Sequence, residues 1–329
     1  MTLKKTASAA VAAVAAGLAL AAPAFAYDEI RTDLEPGDVV SDVGVGLVVP
    51  QPGRFTWATA ELEDKGGQSL GALTQADGTV VLASVGREGG LLPGSEPLGG
   101  LLGHAPAGAG PAAAAVSPAE CDDAAYSRMT WTFADGSRRH PKWKSTHNWY
   151  FRASTTPSDN SVENVRAALV RAVTNITGSH NTCDLPDEVT ASSAHQGDTT
   201  TGPNISTDGT KCTLPDHKSV VSFGTVPVGV LAVACTNGYY DGGTYATISD
   251  ADVRINKAYS WYAVKPSGCT TRWSIEGVMT HEFGHSFGVG HVSEGEHGNL
   301  TMSTHMNGPC QNAESSLGLG DVNVLRLVY

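Results

Sequence analysis

His281-Glu282-Phe283-Gly284-His285-Ser286-Phe287-Gly288-Val289-Gly290-His291 is the stretch on which the reading of this chain turns. Placed on a helix, His281 and His285 stand one turn apart on the same face, so both imidazoles can reach one ion at the ~2.0–2.1 Å that zinc prefers. Glu282 directly follows the first ligand, which sets its carboxylate beside the position left open for a water and makes it the natural general base. Gly288 can take the left-handed conformation that ends a helix, after which the chain turns back and His291 supplies the third ligand. With this chain's own His, Glu and Gly frequencies, the five fixed positions would coincide by accident with probability on the order of 10⁻⁴. The competing reading is a helix with a structural zinc or a set of solvated histidines. A structural ion needs a fourth Cys or His, and the nearby candidates are His297 and His305.

Asn299-Leu300-Thr301-Met302-Ser303 follows shortly after. With it, the motif resembles the signature of the metzincin zinc endopeptidases, and the chain looks like their matrixin branch, in particular the secreted matrixin-like proteases of actinobacteria. The resemblance covers most of residues 119–329. It implies an α+β catalytic domain with a twisted mixed sheet, an active-site helix and a Met-turn, in which Met302 is an apolar floor under the three imidazoles. It also implies that Leu231, Ala232, Val233 and Ala234, within Gly229–Ala234, belong to an upper-rim strand that runs antiparallel to its neighbour and pairs with the substrate backbone. Asp321–Tyr329 looks like the closing helix. Three positions depart from relatives in this superfamily. Val292 follows the third histidine where matrixins usually carry Ser or Thr, Val233 replaces a histidine of the second, structural zinc of vertebrate matrixins, and Thr304 replaces the tyrosine of astacins and serralysins. One catalytic Zn2+ is therefore the expected metal.

Lys4 and Lys5 precede an apolar run from Ala9 to Ala22, and Ala24-Phe25-Ala26 offers small residues at a cleavage site. Residues 1–26 thus read as a secretory signal peptide, too short in its apolar part to span a bilayer; an uncleaved anchor is the alternative. Loss of the two lysines with the leader takes the formal charge from −12 to −14. That acidity argues against nucleic acid as a partner and suits a secreted, extracellular protein. An even set of six cysteines in an exported chain favours three disulfides. The pairing expected here is Cys183 with Cys212, Cys235 with Cys269, and Cys121 with Cys310. Cys121 could instead serve as a latency thiolate on the metal, although Ala119-Glu120-Cys121-Asp122-Asp123 lacks the flanking pattern of matrixin proenzymes.

Residues 27–88 hold short Val/Leu/Thr-rich runs between Gly, Pro and Asp turns and read as a β-rich propeptide or accessory region. Residues 89–118, dominated by Gly, Pro and Ala, read as a linker, so the catalytic domain is expected over 119–329. Strands are expected at Asn148–Ala153, Ser219–Phe223 and Val230–Cys235, with a half-buried strand where Ala251, Val253 and Ile255 alternate with Asp252, Arg254 and Asn256. Val162, Val165, Leu169, Val173 and Ile176 predict a helix capped by Asn160 with Glu163 and ended at Gly178. The motif helix is expected from Ser274 to Phe287. Cys183–Asp216, rich in Asp, Thr, Gly and Ser, is expected to be surface loop, holding calcium or simply solvated.

These readings lead to a monomeric secreted zinc endopeptidase acting on protein or peptide, with no membrane attachment once the leader is gone. The alternative from another class is a silent scaffold used for binding or adhesion. For residues 27–88 a disposable propeptide and a wall- or glycan-binding unit both remain open.

Overall fold

The structure, a computed structural model, describes residues 29–42, 45–62, 68–85, 119–133, 135–304 and 306–329; the expected leader and linker and His305 lie outside them. Its architecture is mixed α+β and strand-rich. The N-terminal region contributes β1 (Glu29–Arg31), β2 (Val39–Asp42), β3 (Val45–Val48), β4 (Arg54–Leu62), β5 (Gln68–Thr74) and β6 (Val80–Val85). After α1 (Ala119–Asp122) come β7 (Trp131–Thr132), β8 (Arg138–Lys142), β9 (His147–Phe151), α2 (Val162–Thr177), β10 (Ser193–Asp198), β11 (Ser219–Gly224), β12 (Val230–Tyr239) and β13 (Tyr245–Asn256). The chain closes through β14 (Trp261–Tyr262), β15 (Trp273–Ser274), α3 (Ile275–Ser286), α4 (Glu294–His297) and α5 (Leu319–Val328).

One mixed sheet runs β1-β6-β5-β4-β12-β13-β11-β9-β10, with β8 on β13 and β7 on β8. Its two halves differ in sense. From β1 to β13 every neighbour along this path is antiparallel, whereas β13, β11, β9 and β10 run parallel. β1, β4, β5 and β6 of the N-terminal region therefore belong to this sheet, while β2 and β3 form a two-stranded sheet of their own: β4 pairs with β12 along nearly its whole length, from Leu62 opposite Val230 to Arg54 opposite Tyr239. β12 is apolar from Val230 to Cys235 because both of its faces are covered. On one face lies the main core, where α2 and α3 pack together and α3 rests on β12 and β13. On the other lies a second core that joins Val45, Leu47, Ala58 and Leu70 to Val233 and Cys235.

The expected strands and helices recur with three corrections. Ser161, not Asn160, caps α2 by accepting from the Asn164 amide (3.1 Å). Asn160 instead reaches sideways, donating to Trp261 O (3.1 Å) and accepting from the Ala263 amide (3.2 Å). β13 is not half-buried: Asp252, Arg254 and Asn256 are enclosed as well, because the segment around Ile205 crosses that face. Arg254 donates to Ile205 O (2.9 Å) and Asp252 Oδ1 accepts from the Val220 amide (2.9 Å). Burial, with Asp250 beside it, pushes the Asp252 carboxyl well above the usual range. The Cys183–Asp216 stretch is not all loop, since Ser193–Asp198 adds as an edge strand on β9. Within it Asp208 turns inward on its own turn, where Ser206 and Thr210 hold its carboxyl down at about 2.

All six cysteines are paired, but none with the expected partner. The bonds are Cys121–Cys183, Cys212–Cys235 and Cys269–Cys310, so Cys121 is not a thiolate facing a metal. The correction has a topological cause. Cys212 is held beside β3 by backbone bonds with Gly46 (2.9 Å) and Val48 (3.1 Å), which places it in the second core together with Cys235 of β12. Among the described residues no helix is long and apolar enough to cross a membrane.

Candidate metal centre

α3 is positioned at both ends by side chains from distant parts of the chain. Ser274 caps its start, accepting from the Gly277 amide (3.0 Å) and donating to Asn312. The last carbonyls, which a helix leaves without internal partners, are taken up in turn: Thr236 of β12 donates to His285 O (3.2 Å), Trp143 Nε1 to Ser286 O (2.8 Å) and Tyr329 OH to Phe287 O (3.1 Å). Inside the core, Asn175 of α2 donates to Thr280 (3.0 Å) and fixes the rotation of α3 about its axis. His281 and His285 therefore face one point.

The chain then leaves the helix at Gly288, as expected, with φ +84°. There is a second reason for glycine here: a Cβ would lie 2.4 Å from Pro141 O. Beyond it Gly290 bonds Ser127 O (3.0 Å), Val292 exchanges bonds with Met302 (2.9 Å) and Thr304 (3.2 Å), and His291 is delivered between these anchors. Val292 thus acts through its backbone.

The three Nε2 atoms form a triangle with edges of 3.0, 3.0 and 2.9 Å. Their other nitrogens are tied outward, His281 Nδ1 to Thr301 O (2.8 Å), His285 Nδ1 to Val289 O (2.9 Å) and His291 Nδ1 to Ser69 Oγ (3.2 Å). A carbonyl only accepts, so His281 and His285 carry their protons at Nδ1 and leave Nε2 unprotonated. Burial holds His285 and His291 well below the ordinary imidazole range, which keeps the rings neutral. Lone pairs aimed at one another at 3 Å repel unless a cation lies between them. His281, His285 and His291 can hold a metal ion, and among the described residues theirs is the one group of three or more His, Cys, Asp or Glu side chains so placed. His297 is no fourth ligand, since its Nδ1 sits 3.0 Å from Asp123 Oδ2. No cluster of carboxylates within the described part of Cys183–Asp216 stands out as a calcium position.

The chain matches no protein-family model and no curated protein.

Met302 packs on the bare Cα of Gly284, where a Cβ would fall 2.3 Å from its sulfur. Glycine inside the helix therefore lets the turn of residues 301–303 press against α3 between the two histidines. That turn is held by Asp321, which the sequence reading assigned only to the closing helix. Its buried carboxylate accepts from the amides of Thr301 (2.8 Å), Met302 (3.1 Å) and Gly318 (2.9 Å). Burial pushes this carboxyl up from its usual range. The relay Asp321–Thr301–His281 gives the first ligand a fixed tautomer and direction. The available signal was Gly318 followed three residues later by Asp321, an N-cap and N3 spacing. A second holding residue that the sequence does not signal is Glu314, which accepts from the Asn307 amide.

Two further placements correct the sequence reading. Leu231, Ala232, Val233 and Ala234 do lie on a strand antiparallel to its neighbour β13, but their other edge is not open, because β4 occupies it. Ser69 was not among the expected site residues at all. It comes from β5, pairs across from Thr59 of β4, and reaches His291 from the N-terminal half. His281, Glu282, His285 and His291 are all 0–1% exposed.

Proposed function

We propose that this protein is an exported zinc endopeptidase of metzincin type, with His281, His285 and His291 as ligands and Glu282 as general base. The observation that supports the reading most is the convergence of three Nε2 atoms, two from α3 and one from the turn beyond Gly288, with the buried Glu282 next in the chain to the first of them. Three imidazoles with one position left over fit a catalytic zinc better than a closed structural one. When bound, zinc would polarise the scissile carbonyl and acidify the attacking water. Glu282 takes the proton from that water and returns it to the leaving amine, so no covalent intermediate with the protein is required. Ser69, Thr301 and Val289 orient the imidazoles. Met302 presses on α3 from below and leaves the proton transfer to Glu282.

Glu282→Ala is expected to retain zinc at wild-type stoichiometry while peptide hydrolysis falls by roughly 10²–10⁴-fold, because the base is lost and every ligand remains. Metal analysis alongside cleavage of a quenched peptide checks this. Undiminished cleavage would remove Glu282 from the mechanism. A second reading, a metal-holding scaffold without turnover, draws on the enclosure of the site. Zymography with and without 1,10-phenanthroline separates the two: a chelator-sensitive band supports the enzyme, and its absence from folded, metal-loaded material supports the scaffold.

A further inference from the structure

We propose that the β7–β8 hairpin, together with the segment around Arg128, forms a docking ridge for a linear polyanion that carries sulfate or phosphate esters and no bases. Such a ridge would hold the protein on its surroundings whether or not the metal centre turns over peptide.

The chain carries 33 acidic against 21 basic side chains, yet residues 128–144 hold five cations, Arg128, Arg138, Arg139, Lys142 and Lys144, against one carboxylate. Short runs of this density attract polyanions when nothing nearby neutralises them. A turn at Asp135-Gly136, with Gly136 at φ +77°, folds the run into a hairpin, and Asp135 is spent inside it on the Ser137 amide (2.9 Å). β8 then pairs with β13, Tyr245 opposite His140 and Thr247 opposite Lys142, which gives the cations a rigid base. Arg128 joins them from the segment that bridges Val289. Burial, and then Arg128, Arg138 and Arg139, hold His140 down at about 4, so the three guanidinium groups share one neighbourhood.

The ridge is under-neutralised. Elsewhere Arg31, Arg166, Arg171, Arg272 and Arg326 each meet a carboxylate within 3.3 Å. On the ridge Lys144 does so, with Asp241 at 3.1 Å. Arg139 and Lys142 have no such partner among the described residues. Arg139 donates to Tyr240 OH (2.8 Å) and Arg138 O (2.9 Å) and lies over the rings of Phe133 and Tyr240. Lys142 donates to Val328 O (2.8 Å) and stands 4.6 Å from the centre of the Tyr245 ring. The buried Nε of Arg128 has no hydrogen-bond partner. Rings and carbonyls fix the direction of a cation without cancelling its charge, so an arriving sulfate or phosphate meets groups already aimed. The same rings argue against bases, because the faces on which a base would stack are taken by Arg139 and Lys142.

The test uses the full chain loaded with zinc, with immobilised heparin as the sulfate probe and poly(glycerol phosphate) as the phosphate probe, at low salt. Wild type is expected to bind one or both, and the tighter of the two names the ester. Arg128→Gln/Arg139→Gln/Lys142→Gln should weaken that binding at least about thirtyfold, while Lys211→Gln/Lys257→Gln/Lys265→Gln, which removes the same charge elsewhere, should weaken it less than about threefold. Failure of wild type to bind either polymer, or equal losses in the two triple variants, overturns the proposal. If the first variant does not fold, amine labelling of wild type decides. The bound polymer must then shield Lys142 and Lys144 from acetylation and leave Lys257 and Lys265 open; uniform shielding, or none, overturns the ridge. A single-stranded DNA oligonucleotide that binds more tightly than both polymers overturns the assignment to a base-free partner.

Discussion

The segment from Ser274 to Thr304 and the strands from Glu29 to Val85 meet at His291, yet they are built on different terms. Along α3 and its turn, distant side chains anchor the helix ends, but the contacts that shape the ligand geometry lie close in sequence: Ser274 caps Gly277, His285 bonds Val289, and Gly284 makes room for Met302. In the N-terminal strands the decisive partners are far away, Ser69 with His291 and Thr59 with Ala234. The chemistry of the centre is thus locally encoded, whereas its accessibility is decided by a long-range pairing. A strand edge is the same row of amides and carbonyls whatever its sequence, which is why the second kind of information is hard to write into a motif.

Removing Asp321 should strike the local half hardest. Asp321→Leu orphans three buried amides and frees the turn that aligns His281, and a loss of roughly 3–5 kcal/mol in urea unfolding, with weakened zinc retention, is expected. A loss below ~1 kcal/mol would mean that the turn stands without it. Next comes a matched pair of glycines at positive φ. Gly288→Ala combines a left-handed alanine with a carbonyl 2.4 Å from the new Cβ, whereas Gly78 in the N-terminal region, at φ +90°, has nothing within 4 Å. Gly288→Ala should cost about 2–4 kcal/mol and Gly78→Ala about 1–2 kcal/mol. Equal costs would show that Pro141 yields and that the close approach carries no weight.

Acid sharpens the comparison differently. His147 is fully buried against Trp143, Phe283 and Phe287, neither ring nitrogen has a hydrogen-bond partner, and burial lowers its pKa from 6.5 to about 3. His140, buried near Arg128, is lowered to about 4. The unfolded chain therefore binds more protons than the folded one below pH 6.5, and each such group removes up to about 1.4 kcal/mol per pH unit until its folded pKa is reached. His147→Phe should make the fall in stability between pH 6 and pH 4 shallower; an unchanged slope would exclude His147 as its source. The smallest effect expected is that of Ser69→Ala, about tenfold in zinc affinity measured against a chromophoric chelator. Identical affinity would make Ser69 a bystander, and the two regions would then meet without coupling.

The metal-binding segment was legible because each requirement is chemical and short-range. Two histidines four apart, a glycine where the helix must reverse, and a third histidine after it leave few other readings. Asp321 and Glu314 were missed because their partners are backbone amides, which carry no residue signature. The strands β4 to β6 could be read as strands, but not their destination: the Gly, Pro and Ala of residues 89–118 suggested a separate unit, and no alternation in Arg54–Leu62 names β12 as its neighbour. The cysteine pairing failed for the same reason. Proximity in sequence is a poor guide where Leu47 and Val48 hold Cys212 in the second core beside Cys235.

A ring of imidazoles sealed beneath a sheet also imposes an order of events. With His281, His285 and His291 only 0–1% exposed, an ion held there is expected to arrive while β4 and β5 are still undocked. Once they dock, its residence is governed by how often the sheet parts rather than by how tightly the nitrogens grip. The intact chain should then surrender its ion slowly even to a strong scavenger, at a pace independent of scavenger concentration.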